Sequence, residues 1–261
     1  MNRLAFGLGA LILLSATGCS LLKASAAKEH VFVPAPELLT ENRKRAPFHR
    51  YWVYDGEKYF NTRKNIGQVE VVEVDISNVE RIYRTSSGSN ETKERRIDEA
   101  KNLARYLEGK INLLLQDRER SHLISKAEME SQANSEGPLQ LKLSLTSVIP
   151  TNPGVNFAGS VAGFFVPGGG LIKYFGEGSV AMEGFVEGPY GLDSGSKDIR
   201  TLEQYADREG QKTSAFSVKD YQRYAHIRQV LDEWAMQIVE LLNTDAGHMV
   251  DDSLPVTLNP F

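Results

Sequence analysis

The chain has 261 residues, of which 41% are hydrophobic and 25% charged, with five histidines, a single cysteine and a formal charge of −4. This composition suits one domain of moderate size with extensions, or two small ones, and excludes a disordered or fibrous chain. The lone cysteine excludes an internal disulfide and a cysteine-rich metal site, and the acidic balance argues against a nucleic-acid partner.

The N-terminus reads as an export signal. Arg3 provides a small basic start, and Leu4 to Leu14 form an apolar run too short for a bilayer, which needs about 20 apolar residues. The run ends in Ala16-Thr17-Gly18-Cys19, small residues directly before the cysteine, which resembles the lipobox read by lipoprotein signal peptidase although leucine is commoner where Ala16 stands; an ordinary secretory signal that leaves Cys19 an unused thiol is the alternative. Residues 1–18 are therefore expected to be a signal peptide and Cys19 a site of lipidation, palmitate included. Cleavage there removes Arg3 alone among the charged residues and leaves 29 basic against 34 acidic side chains, a charge of −5. Each buried methylene contributes about 0.8 kcal/mol, so several acyl chains would hold the protein at a membrane. Ser20, where aspartate would signal inner-membrane retention, directs the expectation to the outer membrane of a Gram-negative bacterium, with the domain in the periplasm.

Residues 19–47 read as the lipidated end and a tether, since Ser20 to Pro47 has Ala/Ser-rich sequence, Pro34, Pro36 and the basic run Arg43-Lys44-Arg45 without an apolar period. Fully extended, those residues would reach roughly 95 Å. The basic run with Phe48, Arg50, Tyr51 and Trp52 is a candidate contact for anionic headgroups or cell-wall polymer, against the plainer reading of a solvated linker entering a first packed segment.

The body, 48–243, shows a regular alternation of elements. Val69 to Ile76 is a strand whose inward phase slips at Val71-Val72, which suggests a bulge or burial on both faces. After the turn Ser86 to Ser89, a long helix is predicted from about Glu91 to Gln116, its core face written by Ile97, Ala100, Ala104, Leu107, Ile111 and Leu114. Gly109 within it marks close packing or a bend. Leu139, Leu141, Leu143 and Leu145 alternate with Gln140, Lys142, Ser144 and Thr146, a strand with one buried face. Ser179 to Glu187 and roughly Ile199 to Asp207 supply two more strands, paired as a hairpin. A last helix carries Tyr224, Ile227, Leu231, Trp234, Ile238 and Leu241 on one stripe, with Ser217 and Asp220 as a capping box before it. The order predicts an α+β fold, a mostly antiparallel sheet with two long helices packed on one face. Residues 244–261 read as a loose tail. Its terminal Phe261 is the kind of residue that ends a barrel strand, but Pro255 and Pro260 break the alternation that such a strand needs.

Several of these features together resemble the proteobacterial lipoproteins catalogued as domain of unknown function 3313. They are the lipobox cysteine, the strand Leu139 to Ile149 and the Gly-rich stretch after it, Gly184-Phe185-Val186-Glu187-Gly188, Tyr205-Ala206-Asp207-Arg208, and the final helix with Trp234-Ala235. The likeness covers most of the mature chain, contains no catalytic motif, and implies an envelope lipoprotein without naming an activity.

Nothing in the sequence declares an enzyme. HExxH, P-loop, nucleophile-elbow and paired-cysteine motifs are absent, so neither catalytic residues nor a cofactor or metal are assigned. The histidines, His30, His49, His122, His226 and His248, lack ligand spacing and read as surface or structural residues. Gly176-Glu177-Gly178 leads into a strand rather than a helix, which removes a dinucleotide loop. Asp193-Ser194 and Asp207-Arg208 read as solvated turns or surface ion pairs. The unusual segment is Gly154 to Gly188, with ten glycines and the apolar patch Phe157 to Val166. It is either a buried crossover or an interaction loop anchored by Phe157, Phe164, Phe165, Leu171 and Tyr174. The preferred expectation is a non-enzymatic interaction or assembly protein, tethered through its N-terminal lipid and binding an envelope protein or a second copy of itself. A lipid or small apolar ligand module and, less favoured, an envelope hydrolase with dispersed catalytic residues are the alternatives.

Overall fold

The computed structural model describes residues 30–41, 45–54, 68–117, 124–125, 138–150, 179–188, 201–210, 224–245 and 247–252. They form an α+β fold built on a six-stranded sheet. The strands are β1 (Arg50–Val53), β2 (Gln68–Val71), β3 (Ile124–Ser125), β4 (Leu139–Ile149), β5 (Ser179–Glu187) and β6 (Thr201–Gly210). Their spatial order is β1-β6-β5-β4-β2-β3. The β1–β6, β4–β5 and β5–β6 pairs are antiparallel, while β2 runs parallel to β3 and β4. The β5–β6 hairpin and the leucine strand thus stand where alternation placed them.

The strand read as Val69 to Ile76 is regular only to Val71, then leaves the ladder and rejoins it at Asp75, whose N–H donates to Leu143 O at 2.9 Å. The phase slip at Val71-Val72 is this interruption. Val69 is buried before it, Val74 and Ile76 after it. A short helix, α1 (Ser77–Thr85), comes next, which the sequence reading missed although Val79 and Tyr83 are four residues apart and both buried.

Helix α2 (Asn90–Gln116) begins one residue before Glu91, where the Ser89 side chain accepts the N–H of Thr92. All six residues of its expected core face are buried. Gly109 is exposed, and a Cβ added there would meet nothing within 4 Å, so close packing does not explain it. Helix α3 (Ala225–Asn243) has Tyr224 as its N-cap with no side-chain cap, and Ser217 and Asp220, read as its capping box, lie outside the described residues. Tyr106 Oη donates to Asp232 at 2.8 Å, Lys110 lies 3.0 Å from the same carboxylate, and Tyr224 Oη bonds Glu99. These contacts advance along both helices together, so α2 and α3 run parallel.

All three helices lie on one side of the sheet. Their buried residues join Leu139, Leu141, Leu143, Leu145, Val180, Met182 and Val186 in a single core with Trp234 fully buried. Gly184 sits among them because a side chain there would collide with Leu143, whose Cδ2 would be 2.4 Å from the added Cβ. The opposite face carries Lys142, Glu183, Phe185, Gln204 and Ala206, as the register requires.

Two expectations about the chain ends are corrected. Residues 30–41 and 45–47, read as tether, are packed on the domain, with Val33, Leu39, Ala46 and Arg45 buried. Of the tail read as loose, residues 247–252 dock. Val250 is buried and donates its N–H to Arg45 O at 2.8 Å. Among the described residues, no helix is long and apolar enough to cross a membrane.

Candidate functional site

Both faces of β6 carry polar residues that are buried, and two polar assemblies converge at its junction with β1. On the helical face, Tyr51, Glu203, Tyr205, Asp207 and Glu209 share the side that packs under α3, although alternation would reserve it for apolar groups. The Asp207 carboxylate accepts the backbone N–H of His49 at 3.0 Å, the His49 Nδ1–H, and the indole N–H of Trp234 at 3.0 Å. One carboxylate therefore ties the lead into β1, strand β6 and helix α3 together. A second knot lies beside it. Arg45 donates from Nη1 to Tyr51 Oη and from Nη2 to the carbonyls of Leu241 and Thr244, both at 3.2 Å, while Tyr51 Oη donates to Glu203 at 2.6 Å. The guanidinium satisfies carbonyls at the end of α3, where the helix dipole favours a cation. This corrects the reading of Arg45, Phe48 and Tyr51 as a surface for headgroups, since all three are buried.

On the other face, Glu183 of β5 receives the chain's N-terminal segment. Its Oε2 accepts the N–H groups of Val31, Phe32 and Val33 at 3.1, 2.7 and 3.2 Å, and its Oε1 accepts His30 Nδ1–H at 2.9 Å. Three successive amides around one carboxylate form an anion nest. Arg50 Nη1 is 3.0 Å from His30 Nε2. Arginine can only donate, so that nitrogen is an acceptor and His30 is the neutral Nδ1–H tautomer. Gln204 continues the clasp, accepting Ala35 N–H at 3.0 Å and donating to Ala35 O at 2.9 Å. Val33 and Leu39 then pack on Ala206 and Trp52.

Between these assemblies lies a hollow lined by His30, His49, Arg50, Thr146, Glu183 and Asp207, among others. Thr146 is the bulged residue of β4, where the β5 register shifts between Leu145 and Ser147, and its carbonyl accepts Asn78 Nδ2–H at 2.7 Å. Two histidines, each oriented by a carboxylate through Nδ1, are the arrangement that prepares a general base. Yet the hollow offers about 10 Å³ to the centre of a water-sized sphere, room for one water. Neither imidazole is hydrogen-bonded to a hydroxyl or thiol among the described residues. The pairs act as struts that hold the two N-terminal segments on the sheet. Among the described residues, no group of three or more His, Cys, Asp or Glu side chains could hold a metal ion.

Several sequence readings change here. Asp207 and Arg208, expected as a surface pair, are both buried and point to opposite faces of β6. Burial lowers the pKa of Arg208 from its ordinary value. Of the histidines read as surface or structural, His30 and His49 are buried struts and His248 is an exposed partner of Glu240. Cys19 and the segment anchors Phe157, Phe164, Phe165, Leu171 and Tyr174 lie outside the described residues, as do His122, Asp193 and Ser194. Glu183 and Glu203 were missed, and Arg45 was read only as part of a basic run. The leucine strand implies which face Glu183 takes, but nothing local announces amides from about 150 residues earlier as its partners. No family model, curated protein or solved structure matches the chain.

Proposed function

We propose that this chain is an exported bacterial lipoprotein, cut before Cys19 and held by acyl groups in the outer membrane, whose periplasmic domain works by binding rather than by catalysis. The observation that carries the anchor is Ala16-Thr17-Gly18-Cys19 directly behind an apolar run too short to span a bilayer. The binding role is supported by the two histidine–carboxylate pairs, which line a small hollow and are engaged with the N-terminal segments. Among the described residues, their hydrogen bonds go into holding the N-terminal segments on the sheet and leave neither imidazole aimed at a nucleophile. The partner class is an envelope protein or a second copy of this chain.

Metabolic labelling with an alkyne analogue of palmitate, followed by intact-mass measurement and membrane fractionation, tests the anchor. Label on the wild type and none on Cys19→Ser is the expected result. Unlabelled wild-type protein in the soluble periplasmic fraction would sink the reading. A photocrosslinking residue at Phe164 in the living cell tests the partner class. A repeatable protein adduct supports it, whereas capture of lipid alone would replace it with lipid binding.

A further inference from the structure

Strand register gathers a cation and two hydroxyls on the face of the sheet away from the helices. Arg208 of β6 stands opposite Ala181 of β5, and Ala181 stands opposite Ser147 of β4. Ser179, two residues before Ala181, shares that face, because side chains two apart on a strand point the same way. All four residues are buried, Arg208 being 3% and Ser179 2% exposed. Yet neither Arg208 Nε nor Ser179 Oγ has a hydrogen-bond partner, and no carboxylate pairs with the guanidinium among the described residues.

A charge taken out of water is held at a large cost unless an opposite charge and hydrogen bonds replace the water. Other buried charges of the domain meet that condition, Arg45 with Glu203 and Asp207 with His49 and Trp234. Arg208 does not. Burial pulls its pKa below the ordinary value, and no neighbouring acid opposes the shift. The acids beside it in the chain, Asp207 and Glu209, point to the helical face. Glu183, one row away on its own face, has its oxygens taken by Val31, Phe32, Val33 and His30.

We infer that Arg208, Ser179 and Ser147 form a binding site for the carboxylate of a small molecule. The unpaired Nε selects the ligand. It lies on the side of the guanidinium that, together with one Nη, offers two parallel N–H groups to a planar pair of oxygens. One positive charge matches one monoanion, and the serine hydroxyls are donors for the remaining lone pairs. Size is set by the hollow that borders Ala181 and Ala206, which has only about 10 Å³ for the centre of a water-sized sphere. The molecule is therefore on the scale of formate or acetate rather than a fatty acid. This site does not depend on acylation of Cys19, so it stands or falls apart from the membrane anchor.

The test titrates the full chain, as its Cys19→Ser form, with sodium acetate and, at matched ionic strength, with sodium chloride and sodium sulfate. Acetate at about ten times its Kd should raise Tm by roughly 3–6 °C. It should also move one arginine Nε–H resonance in a proton–nitrogen correlation spectrum, the resonance that is missing from Arg208→Met. Chloride and sulfate should do neither. Arg208→Met should abolish the response to acetate, and Arg208→Lys, which keeps the charge without the paired N–H groups, should weaken binding by roughly tenfold or more. Ser179→Ala, a smaller change that decides the matter if the Arg208 variants do not fold, should weaken it by a similar factor. Acetate that leaves both Tm and the Nε–H resonance unmoved overturns the inference. So does an equal response to chloride or sulfate, or an acetate response that survives in Arg208→Met or at full strength in Ser179→Ala.

Discussion

Replacing Asp207 by Asn keeps the shape of the side chain and removes its charge, so it isolates the electrostatics of the knot beneath α3. In the native protein Oδ1 accepts the His49 backbone N–H and Nδ1–H, and Oδ2 accepts the Trp234 indole N–H. An amide supplies one acceptor oxygen and one NH2 group. Whichever way it turns, a donor faces a donor, and at least one N–H is stranded in a site where Asp207 is 5% exposed and Trp234 not at all. A buried unsatisfied donor costs about 1–3 kcal/mol, and loss of charge assistance weakens the remaining bonds by about 1 kcal/mol. The isosteric change leaves no cavity term to add. The expected loss is about 2–4 kcal/mol, or roughly 4–16 °C in Tm for a domain of this size. Urea unfolding of Cys19→Ser protein, followed by far-UV circular dichroism, measures it. The denaturant slope should stay constant, since the same surface is exposed on unfolding. Trp234→Phe completes a double-mutant cycle, and the two losses should sum to more than that of the double mutant by about 1 kcal/mol or more. A loss under about 0.5 kcal/mol for Asp207→Asn, or strict additivity in the cycle, would refute the idea that this carboxylate joins α3 to the sheet.

Three further outcomes are expected. Gly109→Ala on the open face of α2 should raise stability by about 0.5–1 kcal/mol, read from the urea midpoint, because alanine loses less backbone freedom on folding and meets no atom there. Gly184→Ala should lower it by about 1–3 kcal/mol in the same assay, since its methyl group must displace Leu143 and approach Tyr205. Burial, followed by the hydrogen bond to Asp232, raises the Tyr106 pKa above its ordinary 10.0. The fold thus favours the neutral phenol, and the stability this contributes is complete below about pH 10 and disappears as pH rises through the raised value. Ultraviolet titration should show one late-ionising tyrosine fewer in Tyr106→Phe than in the wild type, and the variant's stability should fall less between pH 10 and 12.

The parts of the fold that were legible in the sequence are those where one face is apolar and the other polar. Leu139 to Leu145, the stripe of α2 and that of α3 carry their burial in their spacing, and the register confirmed which residues face inward. Helix α1 was hidden because only Val79 and Tyr83 mark its inner face in nine residues. Strand β6 extends to Gly210 rather than stopping at about Asp207, since Asp207-Arg208 reads as a solvated turn or surface ion pair in the sequence and is in fact buried. The polar knots were the least legible part. Burial of a charge depends on partners, and the partners of Glu183, Glu203 and Asp207 come from residues 31–33, 45, 49 and 234. No window of neighbouring residues contains that information. For the same reason Ser20 to Pro47, lacking any apolar period, passed for a linker, while the grip of its described residues 30–41 on the domain comes largely from backbone amides, which every sequence has.

The clasp at Glu183 also orders events in time. The amides of Val31 to Val33 close on a carboxylate about 150 positions further along the chain. At a synthesis rate of about 5–20 residues per second, the N-terminal segment is made roughly 8–30 s before its partner exists. During that interval residues 31–33 have no carboxylate to close on. Only when β5 has joined the sheet can the amides be seated, so the clasp closes late in folding instead of guiding it.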